Sequence, residues 1–148
     1  MTIRRAVPAD VPHLVELIGY GALPGQHEEP SDLEAYQKAL AEIQATTHGD
    51  IFVADLDGEV VGLCQVVVFR HFQRQGGLCA EIESMHVHPD HRSNGIGARL
   101  LAAAVEAARD AGCYRVQLTS NLQRTDAHRF YERQGFVPSH VGFKRLLG

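Results

Sequence analysis

A chain of 148 residues, 45% apolar and 22% charged, suits one domain with one core. Its net charge of -4 gives no support to nucleic-acid binding by bulk electrostatics, which needs a basic face. Three cysteines at unrelated spacings (Cys64, Cys79, Cys113), no apolar leader in "MTIRRAVPAD" and no apolar run near ~20 residues predict free thiols, no membrane span and a cytoplasmic location.

In chain order, "TIRRAVP" alternates weakly and reads as a first strand. Asp10 is placed to cap a helix in which Val11, Leu14, Val15 and Ile18 recur at helical spacing. Residues 21–30 read as a loop from their Gly and Pro content. Ser31 and Glu34 then form a capping-box pattern, and the helix after it puts Tyr36, Leu40 and Ile43 on one face. Two apolar runs around Asp57-Gly58 signal a hairpin. "HFQRQGG" turns the chain again, and "LCAEIESMHVHP" is a strand stopped by Pro89.

The clearest helix follows. Ile96, Leu100, Leu101, Ala104, Val105 and Ala108 make one stripe, and Gly112 stands at its end as a C′ residue. "YRVQLTSN" is a strand, and "TDAHRFYERQG" a helix capped by Thr125 or Asp126 and closed by Gly135. "FVPSHVGFKRLL" supplies the last strand or two, whose exposed edge favours a homodimer. The order is roughly β-α-α-β-β-β-α-β-α-β, an α/β (α+β) arrangement with a sheet part parallel and part antiparallel.

Between Pro89 and the long helix stands Arg92-Ser93-Asn94-Gly95-Ile96-Gly97-Ala98. A helix start leaves backbone N–H groups unpaired and carries about half a positive charge, so a glycine turn feeding it makes a phosphate cradle. Glycine lets the ligand approach the backbone, and Arg92 adds a charge suited to a pyrophosphate. The nucleotide-binding pattern G-x-x-x-x-G-K-[ST] is absent. The dinucleotide fingerprint fails too: Leu100 holds its third glycine's place, and Gln117 and Leu118 stand where it needs an acid.

The run from Met85 to Gly97, followed by "AHRFYERQGF" from Ala127, closely resembles the Gcn5-related N-acetyltransferase (GNAT) family over nearly the whole chain. The run from Ser120 to His140 is similar to the aminoalkylphosphonate N-acetyltransferase branch. The resemblance implies a single domain with a mixed sheet of about six or seven strands flanked by about four helices, and acetyl-CoA as cosubstrate. It implies that residues 92–97 bind the pyrophosphate. It also implies that the strand carrying Met85, His86 and Val87 splays from its neighbour, so that the pantetheine arm pairs with strand backbone. Many members carry an Asn seven residues before the Tyr; here Arg124 holds that place and Asn121 lies ten residues before Tyr131. Asn121 is expected to take over that contact, and Arg133 to reach the adenosine 3′-phosphate.

Acetyl transfer to an amine needs a base, because an alkylammonium of pKa about 10 is not a nucleophile. Glu83 is the first candidate, directly or through a water, and Glu81 of the same strand parity is the alternative. A bulge between the two would separate their faces. Backbone N–H groups near Val87 are expected to face the thioester carbonyl. Tyr131 is the candidate acid for the departing thiolate. No base pairs with Cys79 or Cys113 in the sequence pattern, which favours direct attack over an acetyl-enzyme.

Nine histidines include His86 and His88 on one strand face, yet no H-x-x-x-H occurs on a helix, so no metal is assigned. The first two helices, the loop 21–30 and the "RHFQRQGG" turn are expected to rim the acceptor pocket. Arg70, His71, Arg74 and Arg124 are its candidate anion contacts. The expected substrate is a small primary amine, an aminoalkylphosphonate or an amino acid. Two readings stay open beside it: a protein lysine or N-terminal acetyltransferase with Glu28, Glu29 and Asp32 at its groove, and a non-catalytic acyl-CoA-binding module.

Overall fold

The computed structural model describes residues 1–22 and 32–148. The expected loop tip, the Ser31 capping box and acidic Glu28 and Glu29 lie outside the described residues. The elements are β1 Thr2–Arg5, α1 Val11–Tyr20, α2 Leu33–Ala45, β2 Asp50–Leu56 and β3 Glu59–Arg70. They continue with a single helical turn α3 Gln73–Gly76, β4 Leu78–Val87, α4 Ile96–Asp110, β5 Cys113–Leu118 and α5 Thr125–Arg133. Short 3-10 turns precede α1 (Pro8–Asp10) and follow β4 (Pro89–His91).

The strands form one sheet in the order β1-β2-β3-β4-β5. The first four pair antiparallel, and β5 joins β4 in parallel across α4. Asp57 and Gly58 both have positive φ, as a two-residue I′ hairpin requires. On one face Ile51, Val53 and Leu63 pack under Val11, Leu14, Val15 and Leu17 of α1 and Leu40 of α2. On the other, Cys64, Val66, Ala80 and Ile82 meet Leu101, Ala104 and Ala108 of α4. Ile96 and Leu100 extend that layer over Ala54 and Val61. The stripe read from the sequence is thus the buried face of α4, save for half-buried Val105 at its margin, and Gly112, at φ 83, closes it. Among the described residues no helix is long and apolar enough to cross a membrane.

Three expectations are corrected. Among the described residues the sheet has five strands, not six or seven: residues 136–148 form no strand. Their alternation is present, but a strand needs a ladder partner. The backbone bonds of this segment, among the described residues, are Phe136 N–H to Tyr131 O (3.0 Å) and Ser139 N–H to Val137 O (2.8 Å). Pro138 also lacks a donor. The N-cap position of α5 is Arg124, while Asp126 pairs with Arg129 one turn on. Asp10 does occupy the N-cap position of α1, but its carboxylate makes no bond into that helix.

It turns back instead. Asp10 accepts from Val7 N–H at 2.8 Å and from both ends of the Arg4 guanidinium at 2.8 and 3.0 Å, and Arg4 Nε reaches Asp55 at 3.0 Å. Burial alone would push the Asp10 carboxyl up, but the Arg4 and Val7 hydrogen bonds hold it below its ordinary value. Asp10→Asn is expected to cost about 2 kcal/mol and lower Tm by roughly 4–8 °C near neutral pH. Because the native carboxyl titrates below its unfolded value, the gap between wild type and variant is full above the ordinary carboxylate range. It closes as pH falls through the depressed value. Thermal melts of both proteins over that range check it.

Candidate active site

The parallel ladder between β4 and β5 runs from Leu78↔Cys113 to Ile82↔Leu118 and stops there. β4 continues to Val87, so residues 83–87 have β3 on one side and, among the described residues, no strand on the other. Along the β3 side the register shifts between Gln65↔Glu83 and Leu63↔His86, so Ser84 and Met85 bulge opposite Cys64. Ser84 sits at φ 50, a conformation an L residue adopts at a cost.

The bulge falls after Glu83, not between the two glutamates. Glu81 and Glu83 therefore share the α1 side of the sheet, as strand parity says. Beyond the bulge the parity inverts, and His86 joins them while Met85 and Val87 pack toward α4. Glu81 is half-buried and accepts from Gln117 Nε2 of β5 at 2.6 Å. Glu83 is exposed and has no hydrogen-bond or ion-pair partner among the described residues. It is the first residue past the last β4–β5 pair.

The glycine turn stands at the far end of this gap. Ser93 and Gly95 have φ 67 and 74, and α4 starts at Ile96 with no side-chain cap. The first turn of the helix thus presents bare N–H groups. Ile96 is buried against Leu100 and anchors the turn from beneath. Arg92 Nε donates to Val87 O at 3.2 Å and ties the turn to the strand end, while Arg92, Ser93, Asn94 and Gly95 are exposed. A Cβ on Gly95 would meet nothing within 4 Å. One on Gly97 would stand 3.4 Å from Phe130 Cζ and 3.8 Å from Met85 Cε, so Gly97 borders Met85 and Phe130, and Ala98 beside it is half-buried. An uncapped helix start, glycines and a cationic side chain beside an unpaired strand fit a pyrophosphate with an extended arm, the shape of coenzyme A.

Tyr131 is half-buried in the α4-side cluster, its ring edge-on to Phe130 (5.2 Å) and Phe136 (6.1 Å). Burial pushes its phenol up, Arg124 opposes this and Cys64 adds to it, and the net direction is upward. Burial pushes the Cys64 thiol up to about 12. Burial and then Cys79 raise Cys113. Neither thiol is set up as a thiolate nucleophile.

Asn121 is folded into the turn before α5. Its Oδ1 accepts from Gln123 N–H (2.9 Å), and its carbonyl accepts from His128 Nε2 (2.8 Å). Arg133 is exposed at the end of α5. Arg124 donates to Gly21 O at the end of α1, and a Cβ on Gly21 would overlap the His86 ring. Gly21, His86 and Arg124 thus meet on the Glu83 side of the gap. His88 lies against Tyr20 of α1 (4.9 Å), so both histidines do face α1.

Arg70, His71 and Arg74 do not join Arg124. Arg70 pairs with Leu78, five residues or about 17 Å from Glu83, because a β3–β4 hairpin turn sits at the opposite end of β4 from the glycine turn. There Arg70 donates to Gly76 O, His71 bonds Tyr114 and Arg74 lies 5.2 Å over the Tyr114 ring. Among the described residues no three His, Cys, Asp or Glu converge on a metal position. The contacts that sequence reading missed are Gln117 on Glu81, Phe130 against Gly97, and the Gly21–His86 approach. Each joins positions far apart in sequence with no local signature.

Residues 17–136 match the acetyltransferase (GNAT) family. The chain is 35% identical to the aminoalkylphosphonate N-acetyltransferase of Salmonella typhimurium over 78% of this chain and 75% of the relative. It is 32% identical to an aminoglycoside N(6′)-acetyltransferase type 1 of Stenotrophomonas maltophilia over 91% and 85%. The crystal structure of a transcriptional regulator from Bacillus halodurans C-125 superposes with TM-score 0.91 at 35% identity, over 99% of both chains. With the family's donor, acetyl-CoA, matched to the gap and glycine turn described above, the chain belongs to the GNAT acetyltransferases and is an acetyl-CoA-dependent N-acetyltransferase.

Proposed function

We propose that the enzyme acetylates a small primary amine bearing an anionic group, an aminoalkylphosphonate or an amino acid, by direct attack. One observation carries the reading: a free carboxylate, Glu83, stands where the β4–β5 ladder opens, beside strand backbone with no partner. Arg124 lies on the same side, beside His86, and supplies positive charge where the acceptor would enter. The aminoalkylphosphonate relative supports that acceptor class.

Acetyl-CoA supplies the acetyl group as a thioester. Residues 93–98 hold the pyrophosphate by their bare N–H groups and Arg92 by its side chain, and Met85 and Gly97 line the way to the gap. Arg133 is free to meet the 3′-phosphate. Asn121, with its Oδ1 engaged, offers its amide nitrogen to the arm. Glu83 removes the ammonium proton on the α1 side, directly or through a water. N–H groups of residues 83–87 that point into the gap donate to the carbonyl oxygen as negative charge develops. Tyr131 gives its proton to the departing sulfur from the α4 side. The raised phenol stays protonated throughout the working pH range, although it is a weaker donor than an ordinary tyrosine.

Three variants test the assignments in a thiol-release assay with acetyl-CoA and a panel of aminophosphonates, amino acids, aminoglycosides and peptides. Tyr131→Phe is expected to lower kcat about a hundredfold and leave CoA affinity unchanged; unchanged kcat removes Tyr131 as the acid. Glu83→Gln should lose at least about a hundredfold at neutral pH and recover as pH approaches the amine pKa of about 10, where the substrate is already deprotonated. A deficit independent of pH contradicts a base role. Gly97→Glu crowds Phe130 and places a negative charge at the phosphates, so calorimetry should show CoA binding lost in a protein that keeps its circular dichroism.

A further inference from the structure

Arg124 stands at the N-cap position of α5, where its side chain makes no cap bond. The residue type is wrong for that place. A cap calls for a short side chain that accepts hydrogen bonds, and a cation opposes the positive end of the helix. The guanidinium leaves that end and crosses to α1, where it donates to the carbonyl of Gly21, the C-cap residue. There the negative end of α1 favours it. Gly21 in turn rests on the His86 ring, so closely that a Cβ would overlap it. One side chain thus ties α5, on the β5 side of the gap, to α1 and to β4 past the Ser84 bulge.

Two further features set Arg124 apart. It is half-buried and, among the described residues, has no carboxylate partner, although the chain carries a net charge of -4. An unpaired cation under partial burial is unfavourable for stability alone. It also lies seven residues, about two helical turns, before Tyr131, so the two share a face of α5. A helical tyrosine leans toward the N-terminus of its helix, the end where Arg124 stands. The charge reaches the phenol, since it draws Tyr131 down against the upward push of burial.

We propose that Arg124 is a positioning residue for acetyl transfer: tied to Gly21 O, its guanidinium is fixed beside the phenol from which the departing sulfur takes its proton. The proposal rests on Tyr131 as the acid. As the C–S bond breaks, its electron pair goes to sulfur and the phenol proton follows, leaving a phenolate until solvent returns a proton. A cation beside that phenolate in a half-buried setting stabilises it more than water-screened charges would. The Gly21 bond holds the guanidinium in place beforehand, so nothing has to reorder as the charge develops.

A double-mutant cycle tests this, with the fastest anionic amine of the panel above and the same amine with its anionic group esterified. Arg124→Gln is expected to lower kcat about tenfold for both acceptors, with CoA affinity unchanged. Arg124→Lys keeps a charge and a donor for Gly21, and should stay within about threefold of wild type. In the Tyr131→Phe background Arg124→Gln should change kcat by less than about twofold, because the phenol it acts through is gone. The full tenfold loss in that background overturns the proposal. So does a lysine variant as slow as the glutamine one, or a defect confined to KM for the anionic acceptor, which makes Arg124 an acceptor contact only. Arg124→Gln at the wild-type rate beside a slow Tyr131→Phe overturns this proposal alone. Tyr131→Phe at the wild-type rate removes the acid assignment and the proposal with it.

Discussion

The early end of one hydrogen-bond ladder organises the molecule. β4 and β5 begin side by side and part after Ile82↔Leu118, leaving residues 83–87 with donors and acceptors facing an open gap. In a core strand such groups cost free energy unless water or a ligand satisfies them. Here they are held open by structure on both sides. The Ser84 bulge bends β4 and turns His86 toward α1, and the Phe130, Tyr131 and Phe136 rings lie in the layer on the α4 side. The strain at Ser84 belongs to a site prepared before its ligand arrives.

The same helix that covers the sheet completes the site. α4 buries Leu101, Ala104 and Ala108 over β3 and β4, and this packing fixes where its first turn must stand. That turn lies just past the end of β4, held by Ile96 beneath and by Arg92 on the Val87 carbonyl above. Core packing thereby aims a partial positive charge at the mouth of the gap without any side-chain cap. Tyr131 is tied to the same layer through Cys64, so the cofactor turn and the candidate acid share one rigid support.

What the sequence made legible were periodic and punctuated features. The α4 stripe, the Asp57-Gly58 hairpin and Gly112 each depend on neighbours a few residues away, and each stands where the pattern put it. The choice between Glu81 and Glu83 was not legible by parity, since both face α1. It turns on Gln117, which binds Glu81 from 36 residues away. The side of His86 depends on a bulge with no composition signal. The final strand failed for a related reason: alternation marks a chain able to pair, but not where its partner is. The misplacement of Arg70, His71 and Arg74 was avoidable, because a hairpin turn must lie at the far end of β4 from the glycine turn.

The open ladder is tested most directly by hydrogen–deuterium exchange with and without CoA, resolved to single amides in β4 and the glycine turn. Binding should slow the gap-facing amides of residues 83–87 together with those of residues 93–98, and leave the β2–β3 hairpin unchanged. CoA that binds without slowing either stretch, or slows only amides elsewhere, contradicts a cofactor seated between the parted strands.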